Sequence, residues 1–184
     1  MSAYDLPTSA VIGGVEYDIR SDYRAILDII SVMSDFTVND KERAYVTLSI
    51  FYPDFESIPS SDYQEALDFC LLFINGGVDE KPGPPKPKVM DWKQDFPLVV
   101  SPINKALGFE IRSVDYLHWW TFLAAYQEIG DCLFAHVVSI RRKKKRGQKL
   151  DKSDQQFYRE NRQLIDLRVE MTTEEKDILD EWMS

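Results

Sequence analysis

Two cysteines and two histidines come closest, by type and spacing, to a metal site or a catalytic pair. Cys132 and His136 lie four positions apart, so a helix would place both on one face, as two metal ligands can be. A structural zinc site needs four ligands, which usually come as two pairs. Only Cys70 and His118 remain, and their spacings match no second pair. We therefore expect a packed cysteine, a hydrogen-bonded histidine, and no metal or other cofactor.

His118 is the candidate for acid–base chemistry. It precedes two tryptophans, and Glu128 follows about three helical turns later. A lone histidine on an aromatic helix is more often a hydrogen-bonded core residue. The sequence also lacks the motifs GxSxG, GxxxxGK[ST], GxGxxG and HExxH. We therefore expect no enzymatic activity and assign no catalytic residue.

A cationic cluster is the other concentrated feature. It supplies seven of the 22 basic residues: Arg141, Arg142, Lys143, Lys144, Lys145, Arg146 and Lys149. The chain has a net charge of −9, which would be −16 without these seven. The sequence therefore describes an acidic protein with one basic patch.

Three interpretations of this cluster stay open. Cations suit the C-terminal end of a helix, so it could be a solvated helix end. Six consecutive positive charges exceed what a helix end needs, because like charges four apart repel, and this favours docking onto an acidic partner, including another copy of this chain. Nucleic acid is the third candidate, but no aromatic residues are interleaved and the acidic remainder opposes phosphates. We assign the seven residues as candidate partner-binding residues and do not expect nucleic acid to be the partner.

Helices must position these residues, because apolar side chains recur at helical spacing along most of the chain. Before them, Gly13-Gly14 between two β-prone runs predicts a hairpin over residues 8–20. The first half then contains three predicted helices. The first has one apolar face, made of Tyr23, Ile26, Leu27, Ile30 and Met33. The second is capped by Asn39 and Glu42 and buries Ala44, Tyr45, Leu48, Phe51 and Tyr52, and the third is capped by Ser61 and Gln64 and ends at Gly76-Gly77.

The second half contains five predicted helices. The first helix is capped by Asp95, has Pro97 in its first turn and ends at Gly108, and the second is aromatic and covers residues 114–129. The third helix turns Leu133, Val137 and Ile140 inward and ends at Gly147. The fourth helix starts at Asp151 or Ser153, and a short fifth helix is capped by Thr172 and Glu175 and ends at Trp182. We expect the aromatic helix, which includes Trp119, to lie in the core. The fold class is mainly α, a multi-helix domain with a small N-terminal β-hairpin.

Residues 79–88 contain four prolines, which favours an extended linker. It divides the chain into an N-terminal hairpin-and-helix domain, residues 1–78, and a C-terminal helical domain, residues 89–184. The sequence MSAYDLPTSA lacks a basic segment followed by an apolar one, and no run approaches the ~20 apolar residues of a membrane span. We expect a cytoplasmic protein with free thiols and no membrane contact.

Several motifs resemble those of the bacteriophage gene product fifteen family of Gram-positive siphophages and their prophages. The resemblance covers about residues 88–168, through the motifs DWxxDFP from Asp91, YLHWWTF from Tyr116, EIGD from Glu128, SIRxKK from Ser139, and KLDKxxxxFYREN from Lys149. The hairpin and YDIRSDYRAILDI after it are similar to the start of many phage tail assembly chaperones.

The resemblance implies a role in tail morphogenesis, because the family is encoded in the tail-gene cluster near the tape-measure gene. It implies a tail assembly chaperone in the host cytoplasm that is absent from the finished virion. The implied partners are the tape-measure protein, other tail assembly proteins and further copies of the chain itself. The family carries no assigned catalytic residues. The alternatives are a nucleic-acid-binding phage protein acting through residues 141–149 and a structural component of the tail.

Overall fold

The computed structural model describes residues 5–35, 37–79 and 87–168, together with Trp182. These residues form a two-stranded hairpin and eight α-helices: β1 Ser9–Ile12, β2 Val15–Asp18, α1 Tyr23–Met33, α2 Asp40–Phe51, α3 Tyr63–Ile74, α4 Trp92–Leu107, α5 Trp119–Gln127, α6 Leu133–Lys145, α7 Lys152–Glu160 and α8 Arg162–Ile165. The predicted fold class, mainly α with a small N-terminal hairpin, is confirmed. Within the described ranges, no helix is long and apolar enough to cross a membrane.

The hairpin is antiparallel and pairs Ser9 with Asp18 and Ile12 with Val15. Gly13 has a φ of 57° and the glycine after it a φ of 82°, as a tight hairpin turn requires. The backbone N–H of Gly13 donates to Glu65 Oε2 at 3.0 Å, so the turn is held against α3.

Helices α1 and α2 begin where the sequence predicts. Asn39 Oδ1 accepts a hydrogen bond from the backbone N–H of Glu42 at 2.9 Å, which confirms the predicted cap. Two details of this half were wrong. Tyr45 is 55% exposed, because Leu48 and the following aromatic residues fill the core face of α2. Ser61 lies in a 3-10 turn and caps no helix, because its hydroxyl donates to the carboxylate of the next residue.

Helix α4 begins about one turn earlier than predicted. Its N-cap is Asp91, whose Oδ1 accepts from the backbone N–H of Gln94 at 3.0 Å, whereas Asp95 lies within the helix and is fully buried. Pro97 and Pro102 both lie inside this continuous helix, so neither ends it. The predicted cap at Asp95 was wrong because this carboxylate has a different partner, described below.

The aromatic helix α5 is shorter than the predicted 114–129. The backbone N–H of Tyr23 donates to the carbonyl of Leu117 at 2.9 Å, and the N–H of Trp119 donates to the carbonyl of Ser21 at 2.7 Å. Leu117 and His118 thus lie in an extended segment that pairs with residues 21–23, and the helix begins only at Trp119. Trp119 is 2% exposed, which confirms its predicted place in the core.

Helix α3 ends against two indoles. The indole N–H of Trp119 donates to the carbonyl of Ile74, and that of Trp120 donates to the carbonyl of Phe73, both at 2.8 Å. The last carbonyls of a helix have no partner within it, and the indole of Trp119 supplies one for Ile74. The carbonyl of Phe73 also accepts from the backbone N–H of Gly76 at 3.0 Å, and both indole bonds fix α3 onto α5.

Two predictions about α6 and the following segment were also wrong. Leu133 is 48% exposed, because the next residue, Phe134, takes the inward position while Val137 and Ile140 are buried as predicted. Asp151, one of the two predicted starts, caps α7. The apolar residues Phe157, Leu164 and Leu167 predict a single helix here, but the chain breaks at Asn161 and a separate short helix, α8, follows.

One hydrophobic core takes residues from both sides of residues 80–86. Tyr23 of α1 stacks on Phe122 of α5 with ring centroids 4.8 Å apart and ring planes 4° from parallel. A smaller cluster of Val137, Ile140 and Ile165 lies where α6 meets α8. Residues 80–86 lie outside the described residues, so the division of the chain at 79–88 stays a prediction, and so does the helix predicted from Thr172.

Candidate protein-binding surfaces

The two residues that share metal-ligand spacing, Cys132 and His136, have other partners. Cys132 is the N-cap of α6, and its Sγ accepts from the backbone N–H of Ala135 at 3.5 Å. His136 Nε2 lies 3.1 Å from Asp154 Oδ1. Burial raises the pKa of the Cys70 thiol to about 12, which disfavours the thiolate that a metal would need. Nowhere in the described ranges do three or more histidine, cysteine or acidic side chains form a group that could hold a metal ion.

His118 has a structural position, because both of its ring nitrogens are engaged. It is the N-cap of α5, where Nδ1 accepts from the backbone N–H of Trp120 at 3.0 Å. Its Nε2 lies 3.0 Å from the carbonyl oxygen of Pro7, which assigns the proton to Nε2. Burial lowers the pKa of this imidazole. Glu128 is the C-cap at the opposite end of α5, ten residues and about 15 Å along the helix from His118, so the structure does not bring these two candidate residues together.

The basic cluster is divided by the fold, and Arg141 is its buried member. Its side chain is 4% exposed, and it forms a two-pronged ion pair with Asp95, with contacts of 2.6 and 2.9 Å. The other three contacts go to backbone carbonyls of Val89, Leu164 and Ile165, at 3.2, 2.9 and 2.5 Å. All five N–H groups of the guanidinium are therefore used. Arg141 joins α4, α6 and α8 and is not available as a surface contact.

Lys143 and Lys144 pair with carboxylates of the chain that follows them. Lys143 Nζ lies 2.5 Å from Asp154 Oδ2, and this lysine together with His136 lowers the pKa of the Asp154 carboxyl. Lys144 Nζ lies 2.7 Å from Asp166 Oδ1. These contacts hold α7 and α8 against α6.

The remaining four cations of the cluster are exposed: Arg142, Lys145, Arg146 and Lys149. None of the four lies within ion-pair distance of an acidic group among the residues that the structure describes. Their spacing of i, i+3, i+4 and i+7 places the first three on one face at the end of α6, just before the chain turns at Gly147. We call these four residues the α6 cation row, and it is the part of the predicted site that faces solvent.

An apolar groove lies between α1 and α4, and the sequence did not single it out. Its volume is about 460 Å³, and we call it the α1–α4 groove. Leu27, Trp92 and Phe96 form its partly buried floor, and the exposed Lys93 lies at its rim. Phe96 stacks on Tyr23 with ring centroids 6.3 Å apart, so the floor continues into the aromatic core. The spacing of Trp92 and Phe96 at i and i+4 was the available signal.

Comparison with known proteins finds a matching family. The model of the family described as Bacteriophage Gp15 protein matches residues 4–167, which is most of the chain. This confirms the resemblance found in residues 88–168 and extends it through the hairpin and the first three helices. No curated protein and no solved structure matches the chain.

Proposed function

The chain belongs to the bacteriophage Gp15 protein family, and from this premise we propose that it is a non-enzymatic tail assembly chaperone. Its client in this proposal is the tape-measure protein, a long helical protein with apolar faces. It acts in the host cytoplasm, with other tail assembly proteins, and leaves before the virion is complete.

The α1–α4 groove is the observation that carries this proposal. A client helix with an apolar face needs an open apolar surface on its chaperone, as in other helix-in-groove complexes. The floor of the groove offers Leu27, Trp92 and Phe96, which lie on two neighbouring helices. Because these rings pack onto the core, the groove is formed before the client arrives, and little ordering opposes binding.

The charge distribution fits reversible client binding. A net charge of −9 keeps the chain soluble while it exposes an apolar groove. Lys93 at the rim adds a cation for an acidic residue flanking the client's apolar face. Three cations of the basic cluster are used within the fold, so we do not propose nucleic acid as the partner.

Binding to overlapping helical peptides of the tape-measure protein from the same phage tests the proposal. We expect the variant Leu27→Glu to weaken binding about tenfold or more, since a charge in an apolar contact removes over ~1.4 kcal/mol. The variant Lys93→Glu is exposed and should leave the fold intact while weakening binding of peptides with acidic flanks.

Val78→Glu is the matched control, because Val78 is an exposed valine, 59% accessible, outside the groove. Circular dichroism melts establish that each variant is folded. Equal binding by all three variants and the parent chain would contradict the assignment of the groove. The presence of the chain in purified virions would favour a structural tail component instead.

A further inference from the structure

A second surface combines an apolar groove with the α6 cation row. The groove lies between α5 and α6, has a volume of about 320 Å³, and is lined on the α6 side by Ala135, Val138 and Arg142. We call it the α5–α6 groove. Arg142 belongs both to this groove and to the cation row. The two therefore form one continuous strip along α6, apolar at one end and cationic at the other.

A segment that binds this strip must carry apolar side chains for the groove and carboxylates for the cations. Unpaired cations on one helix face attract acidic groups, and the apolar groove excludes a purely polar partner. The sequence of residues 169–184, VEMTTEEKDILDEWMS, has this composition. It contains six acidic residues and one lysine, for a net charge of −5, with Ile178, Leu179 and Trp182 as large apolar residues.

The described residues that immediately precede this segment lie beside the cluster from which the row projects. Lys145 of the row lines a cavity of about 370 Å³ together with Asp166 and Leu167. The backbone N–H of Arg168 donates to Gln94 Oε1 at 2.9 Å, which anchors the chain at this point. The segment therefore continues the chain from Arg168, whose own position near the cations is fixed by this hydrogen bond.

The exposure of Trp182 indicates whether the segment binds the strip of its own chain or that of another copy. Its side chain is 87% exposed in the single chain, so the strip of its own chain does not cover it. A large exposed indole in an acidic segment is typical of a residue that binds in another molecule. We propose that residues 169–184 of one copy bind the α5–α6 groove and the α6 cation row of a second copy.

Such a contact joins two different surfaces of the chain. Reciprocal exchange of the segments between two copies closes a two-fold dimer, whereas one-way contacts form rings or open chains. The proposal uses neither the α1–α4 groove nor a client, so it stands or falls independently of the proposed function. An open chain of copies would, in addition, match the shape of a long helical client.

Sedimentation of the purified full chain tests this contact without any client. We expect the average mass to rise with protein concentration and to fall with added salt, because the Debye length shortens from ~10 Å at 0.1 M to ~3 Å at 1 M. Reversal of the row, Arg142→Glu with Lys145→Glu and Arg146→Glu, should weaken self-association by about tenfold or more, since several attractive contacts become repulsive.

Charge exchange makes the test specific. Reversal of the segment, Glu174→Lys with Asp177→Lys and Glu181→Lys, should weaken self-association equally. A chain with both reversals should associate again, because the attraction is restored with opposite signs. Three reversals at exposed lysines outside the strip are the control and should have little effect: Lys41→Glu, Lys105→Glu and Lys152→Glu. A full chain that stays monomeric at all concentrations would overturn the proposal, and so would a doubly reversed chain that fails to associate.

Discussion

Replacing Arg141 by methionine should destabilise the fold more than any other single change in the basic cluster. The substitution keeps a long side chain and removes the guanidinium. Asp95, which is fully buried, would keep only the backbone N–H of Asp91 at 2.9 Å as a hydrogen-bond donor. Three backbone carbonyls would also lose the donor that Arg141 provides.

The size of the effect follows from this geometry. Removing one partner of a buried ion pair costs about 3–5 kcal/mol, because the other charge stays buried without compensation. The whole free energy of unfolding of such a domain is about 5–15 kcal/mol. We therefore expect Arg141→Met to lower the free energy of unfolding by about 3–5 kcal/mol, and Arg141→Lys to recover only part of it because lysine lacks the planar fork.

Urea unfolding followed by circular dichroism measures this change, and the neighbouring residue provides the control. Arg142→Met alters the same residue type at an exposed position and should change the free energy of unfolding by no more than ~0.5 kcal/mol. The double variant Asp95→Leu with Arg141→Met should lose less than the sum of the single losses, by about 1–3 kcal/mol. Equal effects of Arg141→Met and Arg142→Met would refute the role given to Arg141.

Three further measurements test other parts of the structure. Gly77→Ala should cost about 1–2 kcal/mol, because its φ of 81° is unfavourable for alanine and the new Cβ would lie 3.1 Å from an indole ring, whereas Gly130→Ala should be neutral. Burial lowers the pKa of His118 below its ordinary 6.5, so its contribution to stability is complete above that pH and is lost as the pH falls toward the pKa of the folded chain. His118→Asn keeps an acceptor at the N-cap and should flatten this part of the pH profile of unfolding. A thiol reagent at pH 8 should modify the half-buried Cys132 quickly and the fully buried Cys70 only on unfolding, since burial raises the pKa of the latter thiol to about 12.

Local sequence signals predicted the elements of the fold well where a short motif determines them. The glycine pair of the hairpin, the cap at Asn39 and the turn at Gly147 all adopt the predicted conformation, because these signals act over only a few residues. The predicted helix boundaries failed where a distant segment intervened. Leu117 and His118 look helical by composition, but they lie in an extended segment that pairs with residues 21–23.

The candidate site shows the same limit. The cluster of seven cations was visible as a run of charge, but its division was not, since that depends on Asp95, Asp154 and Asp166 from three other segments. Asp95 was interpreted as a helix cap because a cap is the usual role of an acidic residue near a helix start. Its true partner, Arg141, lies 46 positions away and meets it only in the folded chain.

Co-expression of this chain with the tape-measure protein of the same phage tests the central claim most directly. The account predicts that the tape-measure protein becomes soluble and copurifies with the parent chain, and that Leu27→Glu loses most of this effect while Val78→Glu keeps it. Copurification that is absent with the folded parent chain, or that is unchanged by Leu27→Glu, would contradict the account.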